Sequence, residues 1–126
     1  MRILGFLAFF FSSLVFSQDW PRQKAVQLVV GFGPGATTDT VARLAAQKLQ
    51  EALGQVFVVE NRPGAGGNIA TQQVKRAAAD GYTILVTGGG HVNNAFLYVH
   101  VPYDPMRDFD AVTLGASQPV VLTVHP

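Results

Sequence analysis

Apolar positions along the chain repeat one order three times: a short continuous run, a glycine-containing loop, and a stretch with helical spacing. The runs lie at residues 26–30, 56–59 and 82–86 and are rich in β-branched residues, as buried strands are. Helical spacing, with apolar residues every three or four positions, is clearest between Val41 and Leu53. Each strand is therefore predicted to be followed by a helix that crosses back over the sheet.

The spacing predicts three helices. The first ends at Gly54, a residue type that commonly terminates helices, the second covers residues 68–79, and the third is a shorter, poorly defined stretch at 92–98. Four apolar residues of the second helix share one face: Ala70, Val74, Ala77 and Ala78. Three polar residues are candidates to cap the start of the first helix: Thr37, Thr38 and Asp39.

The alternation of strands and helices predicts an α/β fold, because short connections of this kind force a parallel sheet with helices on both faces. The three glycine-rich loops, at residues 31–36, 61–67 and 88–90, then meet at one edge of the sheet. Residues 101–109 are too rich in proline for a regular element and are predicted to form a surface loop. Residues 119–124 are a further strand candidate.

Composition limits the functions that such a fold could serve. The chain has 126 residues, 48% of them hydrophobic and 13% charged, which suits one compact domain. Its formal net charge is +1 and neither sign forms a block, so nucleic-acid binding has no electrostatic basis. Cysteine is absent, which excludes disulfides, thiolate metal sites and cysteine nucleophiles.

The N-terminus has the pattern of a secretory signal peptide. Arg2 precedes an apolar run over residues 3–16, and Ser17 follows at the cleavage position. The run is shorter than the roughly 20 residues that a membrane-spanning helix needs. We therefore expect residues 1–17 to be removed on export, which leaves a mature chain with no stable membrane insertion.

The loop before the first helix has the features of an anion-binding site. Gly33, Gly35 and Ala36 leave the backbone uncovered, and the start of the following helix carries roughly half a positive charge. The two threonines that come next add hydroxyl donors, whereas Asp39 is better suited to capping the helix than to meeting an anion. The alternative is that the glycines only make a tight turn.

The other two loops offer weaker candidates for the same site. In the second loop, Asn61 is polar and Arg62 could pair with a ligand carboxylate, but the place of Arg62 beside Glu60 and before a proline favours a structural clamp. At the end of the third strand, Thr87 and Gly88 could line the same cleft. The alternative for both loops is that these are ordinary turn residues.

The first loop also fits a competing motif. Residues 31–36 match G-x-G-x-x-A, the dinucleotide-binding fingerprint, and Glu60 ends the second strand where a ribose-binding acid would lie. Two observations argue against a dinucleotide-dependent oxidoreductase. The chain is predicted to be exported, and the ring of Pro34 removes an amide donor from the loop.

Few residues are suited to catalysis. Beyond the predicted signal peptide the one serine is Ser117, there is no G-x-S-x-G motif, and the three histidines lack the spacing of metal ligands. His91 follows the third glycine run and could face the cleft, although a packing or surface role suits it better. We expect a protein without enzymatic activity, and therefore without catalytic residues, a metal or a cofactor.

Six short motifs run in order across nearly all of the chain beyond residue 17. They are Trp20-Pro21, residues 33–43, Leu53-Gly54-Gln55, residues 59–68, Asp80-Gly81-Tyr82-Thr83 and residues 103–109. Residues 60–68, with the sequence ENRPGAGGN, are the most distinctive part. Together the motifs resemble those of the Bug-type receptors of tripartite tricarboxylate transporters.

This resemblance implies a periplasmic binding protein with two α/β lobes around a cleft that closes on a small organic carboxylate. Loop amides, helix N-termini and ordered waters would hold the ligand without covalent chemistry, and membrane transporter subunits would receive it. Residues 18–118 would form the first lobe and 119–126 the start of the crossover to a second lobe, which is expected to be missing. The alternative is a truncated remnant that binds no ligand.

The resemblance carries over directly to residues 33–37 and to Thr87 and Gly88. Family members often have a proline and a double glycine where this chain has the glycines at 31, 33 and 35, so the cleft shape is expected to differ here. The candidate ligand-binding residues are Phe32, Gly33, Pro34, Gly35, Ala36, Thr37, Asp39, Asn61, Gly66, Gly67, Asn68, Thr87 and Gly88.

Overall fold

The computed structural model describes residues 20–119 and 122–123. The predicted signal peptide, residues 1–17, lies outside the described residues. The elements in chain order are β1 (Val26–Val30), α1 (Thr37–Leu53), β2 (Phe57–Asn61), a 3₁₀ turn (Ala65–Gly67), α2 (Asn68–Arg76), β3 (Thr83–Val86) and α3 (Gly90–Leu97). Within the described part of the chain, no helix combines the length and the apolar character needed to cross a bilayer.

The three strands form one parallel sheet in the order β2-β1-β3. Leu28 of the central strand lies opposite Val59 on one side and Ile84 on the other. Because all three strands point the same way, their carboxyl ends and the loops that follow them meet at one edge. The predicted parallel α/β sheet is confirmed.

Helices cover both faces of this sheet, as predicted. On one face, Val26 and Leu28 pack with Ala46 of α1. Successive strand residues point to opposite faces, so odd-numbered residues of β1 face the other way. On that side the chain comes so close to the start of α2 that a Cβ placed on Gly31 would lie 2.7 Å from the Cα of Gly67. This approach holds the first two loops together.

The start of α1 differs from the prediction, whereas its end agrees. The N-cap is Ala36, which is extended and makes no side-chain capping bond. The predicted caps are therefore wrong, because the chain is already helical at all three of them: Thr37, Thr38 and Asp39. Gly54 closes the helix in the left-handed conformation, with φ 65°, and its N–H donates to the carbonyl of Gln50.

Other element bounds differ by a few residues. β2 runs on to Asn61, because Glu60 and Asn61 pair with the end of β1. α2 stops at Arg76, because the chain becomes extended at Ala77 and turns back toward β3. Ala77 and Ala78 therefore lie outside the helix, although their spacing placed them on its apolar face.

Beyond α3, the described residues form no regular element. The predicted surface loop at 101–109 is held against the helices by Tyr103, which is 6% exposed, and by an ion pair of 2.8 Å between Lys75 of α2 and Asp108. The strand predicted at 119–124 lies partly outside the described residues, and those of its residues that are described are not in a strand.

Candidate functional site

The first loop leaves its backbone uncovered at the carboxyl end of β1. A Cβ placed on Gly33 or Gly35 would have no atom within 4 Å, so the space beside both residues is open. Gly35 has φ 85°, which other residues rarely adopt, and the N–H of Ala36 donates to the carbonyl of Gly33 (3.2 Å) across this turn. The glycines therefore make a tight turn and also leave the main chain accessible.

Three N–H groups at the start of α1 have no hydrogen-bond acceptor within residues 20–119 and 122–123. They belong to Thr37, Thr38 and Asp39. The first turn of any α-helix has N–H groups without a helical partner, and the aligned peptide dipoles add about half a positive charge there. The start of α1 therefore has the donors and the charge that an anion requires.

Asp39 lies behind the first loop and is fully engaged in hydrogen bonds. The residue is 2% exposed, and its carboxylate accepts from the N–H of Gly35 (2.8 Å), Nε of Arg43 (3.0 Å) and Nδ2 of Asn61 (2.8 Å). The Arg43 guanidinium, followed by the Gly35 N–H and the Asn61 amide, lowers the pKa of Asp39 to about 2. The carboxylate is therefore ionised near neutral pH.

Asn61, at the end of β2, joins that strand to the first loop. Its Nδ2 donates to the carbonyl of Phe32 (2.9 Å) as well as to Asp39, and its Oδ1 accepts from Nη2 of Arg43 (3.1 Å). The structure thus brings four of the predicted residues together around Arg43, which was not predicted as a site residue. Its place four residues after Asp39 was the available signal, because residues at that spacing share a helix face.

A cavity of about 1140 Å³ opens beside the start of α1 and the end of β3. Thr37 and Thr38 line it from α1, and Thr87 and Gly88 line it from the loop after β3. The cavity continues along the outer edge of β3, where residues 110–118 also line it. The structure therefore brings the start of α1 and the third strand end to one cavity, whereas the predicted residues at 32–36 and in the second loop are not part of its wall.

The predicted residues of the second loop are engaged in packing instead. Asn68 is 6% exposed, and its Oδ1 accepts from Nδ2 of Asn94 (2.7 Å) and from Oη of Tyr103 (3.0 Å). A Cβ placed on Gly66 would lie 2.9 Å from the hydroxyl of Tyr98. The backbone of Gly67 supports the first loop from behind. These residues hold the loops in place, and Oδ1 of Asn68 is occupied by two protein donors.

His91 also lines the cavity, where aromatic side chains surround it. Its ring stacks on Tyr103, with centroids 5.2 Å apart, and meets Phe109 at 4.9 Å in a T-shaped contact. Its buried Nδ1 has no partner among the residues that the structure describes. Burial lowers the pKa of His91, so the ring is neutral at pH 7. These contacts agree with the packing role that the sequence favours.

The residues that suggested other functions are already paired. Arg62 and Glu60 form an ion pair with each other, and Nε2 of Gln73 donates to the second carboxylate oxygen of Glu60 (3.5 Å). The interpretation of Arg62 as a structural clamp is supported, and both carboxylate oxygens of Glu60 already have a partner within the protein. In the described part of the chain, no group of acidic and histidine side chains is arranged to hold a metal ion.

Comparison with known proteins places the chain in a family. Residues 41–126 match the family described as "Tripartite tricarboxylate transporter family receptor". The chain is 38% identical over 112 residues to protein BugT of Bordetella pertussis. This alignment covers 87% of this chain and 34% of BugT. It is 44% identical over 101 residues to a UPF0065 protein from the tcbD-tcbE intergenic region of Pseudomonas sp. strain P51. This alignment covers 80% of this chain and 30% of that protein. The chain spans about a third of the length of these curated relatives.

Solved structures have the same fold. The match to Rpa4515 of R. palustris, solved with adipate, has 47% identity and a TM-score of 0.67 and covers 70% of this chain and 29% of that chain. MatC from Rhodopseudomonas palustris, with bound malate, matches with 40% identity and a TM-score of 0.65 over 70% of this chain and 30% of its own. The periplasmic binding protein BugD matches with 44% identity and a TM-score of 0.66. That match covers 69% of this chain and 29% of the BugD chain.

These structural neighbours are binding proteins rather than enzymes. The family match covers more than half of the chain, and it includes β2, β3 and the loop that lines the cavity. The chain therefore belongs to the family of tripartite tricarboxylate transporter receptors.

Proposed function

We propose that this chain is part of a periplasmic receptor that captures a small organic carboxylate and delivers it to a tripartite tricarboxylate-type transporter, without catalysis. One observation carries the proposal: N–H groups that lack an acceptor among the described residues begin α1 at the cavity that Thr87 and Gly88 also line. Two structural neighbours were solved with adipate and with malate, both of which are dicarboxylates. Export, the signal peptide at 1–17 and the transporter partner are inferred from the sequence.

In this proposal the main chain recognises the carboxylate. The N–H groups of Thr37 and Thr38 would donate to one carboxylate group, and their hydroxyls would add further donors. Thr87 and Gly88 would hold the ligand from the third strand end. Residues 32–36 would shape the rim, and the second-loop residues, including Gly66 to Asn68, would support it. Main-chain donors distinguish a carboxylate from a neutral group and leave the choice among carboxylates to other parts of the site.

The domain division is a further part of the proposal. Residues 18–118 would form the first of two lobes, and the chain from 119 would lead into the second. The curated relatives are about three times as long as the region that matches them, which leaves room for a second lobe in a protein of that length.

Calorimetric titration of the full-length protein tests the ligand class. We expect adipate or malate to bind, because each presents a carboxylate to the N–H groups of α1. The matched control is 1,6-hexanediol, which has the length of adipate and hydroxyls in place of the carboxylates, and it should not bind. NAD serves as the probe for the dinucleotide alternative. The proposal would be wrong if neither dicarboxylate bound, with or without binding of NAD, or if hexanediol bound as well as adipate.

A further inference from the structure

We propose that Asp39, Arg43 and Asn61 form a positioning network that holds the first loop in its ligand-binding shape and neutralises its own charge, and that neither Asp39 nor Asn61 touches the ligand. The inference rests on the proposed function, because the shape of the loop matters for binding only if the N–H groups of α1, which directly follow the loop, bind a carboxylate. It assigns a role to Arg43, and it gives Asp39 and Asn61 a different role from the ligand contacts that their sequence positions suggested.

The hydrogen-bonding groups of Asp39 and Asn61 are used within the protein. Asp39 is buried and accepts from three donors, all of which belong to the protein. Both Nδ2 hydrogens of Asn61 are used, one by the carbonyl of Phe32 and one by Asp39. A ligand could reach either side chain only by displacing a bond that already exists, which would cost about as much as the new bond contributes.

The network holds the first loop at two points. Asn61 holds the carbonyl of Phe32 at the start of the loop, and Asp39 holds the N–H of Gly35 just before the helix. Only Gly33 and Pro34 lie between these points, so the backbone has little freedom left. Because Asp39 accepts from a loop residue rather than from its own helix, the N–H groups that begin α1 are left unused.

The second role of the network is to compensate the negative charge of Asp39. A carboxylate in the first turn of a helix stabilises the helix, but it would repel an anionic ligand at the same place. Nε of Arg43 lies 3.0 Å from the Asp39 carboxylate, so the pair is formally neutral. The positive end of the helix dipole is then available to the ligand, although an acidic residue lies behind it.

A second ion pair on α1 provides a matched control. Lys48 and Glu51 are 2.7 Å apart, three residues apart in sequence, and exposed, and they lie far along the helix from the first loop. Among the described residues, the hydrogen bonds of this pair stay within α1. If Asp39 and Arg43 were also only a helix-stabilising pair, changing either pair would have the same small effect on ligand binding.

The first experiment compares Asp39→Asn with Glu51→Gln in the full-length protein. The asparagine keeps the shape of the side chain but presents an amide NH₂ group to one of the donors that now meet a carboxylate oxygen. We expect the affinity for adipate or malate to fall about tenfold and amide hydrogen exchange within residues 32–38 to become faster at Gly35 and Ala36, whose N–H groups have acceptors. Glu51→Gln should change neither. Wild-type exchange and affinity in Asp39→Asn would overturn the inference.

The second experiment tests the charge role through Arg43→Gln, with Lys48→Gln as its control. Without Arg43 the Asp39 carboxylate is uncompensated, so binding of adipate or malate should weaken about tenfold at low salt. Part of the loss should be recovered near 1 M salt, where the screening length falls to about 3 Å. Lys48→Gln should bind like wild type at both salt concentrations. A loss that is the same at low and high salt would overturn the charge role.

The exchange measurement keeps the inference separate from the proposed function. It needs no ligand. If the wild-type protein bound neither dicarboxylate, the proposed function would be wrong. The comparison of exchange rates would still decide whether the network positions the loop. If Asp39→Asn did not fold, Asn61→Ala would replace it, because that change releases Phe32 and removes one donor to Asp39. Unchanged exchange at residues 32–38 in Asn61→Ala would overturn the inference.

Discussion

The main-chain N–H of Thr37 is not needed by the helix and is free to bind a ligand. It is the first residue of α1, and its N–H has no acceptor among the described residues. A helix does not use the N–H of its first residue, so proline is tolerated at this position. Ala36 before it is already extended, with φ −66° and ψ 157°, which is the conformation that a residue before proline prefers. The N–H of Thr37 can therefore be removed without breaking the helix.

We predict that Thr37→Pro weakens binding of adipate or malate about tenfold beyond the effect of Thr37→Val. Both variants lack the hydroxyl, but only proline lacks the N–H, so their difference isolates the main-chain donor. Calorimetric titration measures the affinities, and circular dichroism should show wild-type helix content in both variants. Equal affinities of the two variants would mean that this N–H is not part of the site.

At the level of elements, buried polar groups join α2, α3 and the irregular segment that follows. Oη of Tyr103 lies 3.0 Å from Oδ1 of Asn68 and 3.0 Å from the carbonyl of His91. Nδ2 of Asn94 donates both to Asn68 and to the carbonyl of Gly66 (2.9 Å). Because a buried polar group without a partner is costly, this network determines where the segment lies against the helices.

We predict that Tyr103→Phe lowers the free energy of unfolding by about 1 to 2 kcal/mol, since the single hydroxyl hydrogen that serves Oδ1 of Asn68 or the carbonyl of His91 is lost. Tyr98→Phe is the matched control, because Tyr98 is 41% exposed and its hydroxyl makes no hydrogen bond within the described residues. Its effect should stay within about 0.5 kcal/mol. Urea denaturation measures both values, and equal losses in the two variants would contradict a role for the Tyr103 hydroxyl.

Periodicity predicted the elements better than it predicted their ends. α2 stops at Arg76 although three alanines follow, and alanine favours helices. The chain must return to β3, just before which Tyr82 is buried in the core, and an ion pair of 2.8 Å between Lys24 and Asp80 holds the preceding turn. These tertiary contacts outweigh the local preference of the alanines.

In the whole molecule, ion pairs make stability depend on pH, and two of them connect segments that are distant in sequence: Lys24 with Asp80 and Lys75 with Asp108. Partners lower the pKa of four carboxyls: Arg43 acts most strongly on Asp39, Lys48 on Glu51, Lys24 on Asp80, and Lys75 on Asp108. A group whose pKa is lower in the folded state than in the unfolded state stabilises the fold above its unfolded pKa. That contribution is lost as the pH falls through the folded value.

We predict that the urea midpoint of the wild-type protein falls as the pH is lowered below about 4, since these carboxylates must then take up protons. The decline should continue toward pH 2, because the pKa of Asp39 is about 2 against an ordinary value of 3.8. Asp39→Asn should be less stable than wild type at neutral pH and should show a shallower decline in acid. A decline as steep as that of wild type would contradict the lowered pKa.

The sequence by itself determined the order of strands and helices, the gathering of three glycine-rich loops at one sheet edge, and the resemblance to the receptor family. These depend on residue type and spacing, which are local properties. Only the tertiary structure decided which donor meets which acceptor: Asn61 and Phe32 are 29 positions apart, and Tyr103 and Asn68 are 35. A hydrogen bond needs its atoms within about 3 Å, and local pattern does not set the distance between remote segments. The sequence could therefore mark Asp39 and Asn61 as site residues, and the fold turned them toward each other.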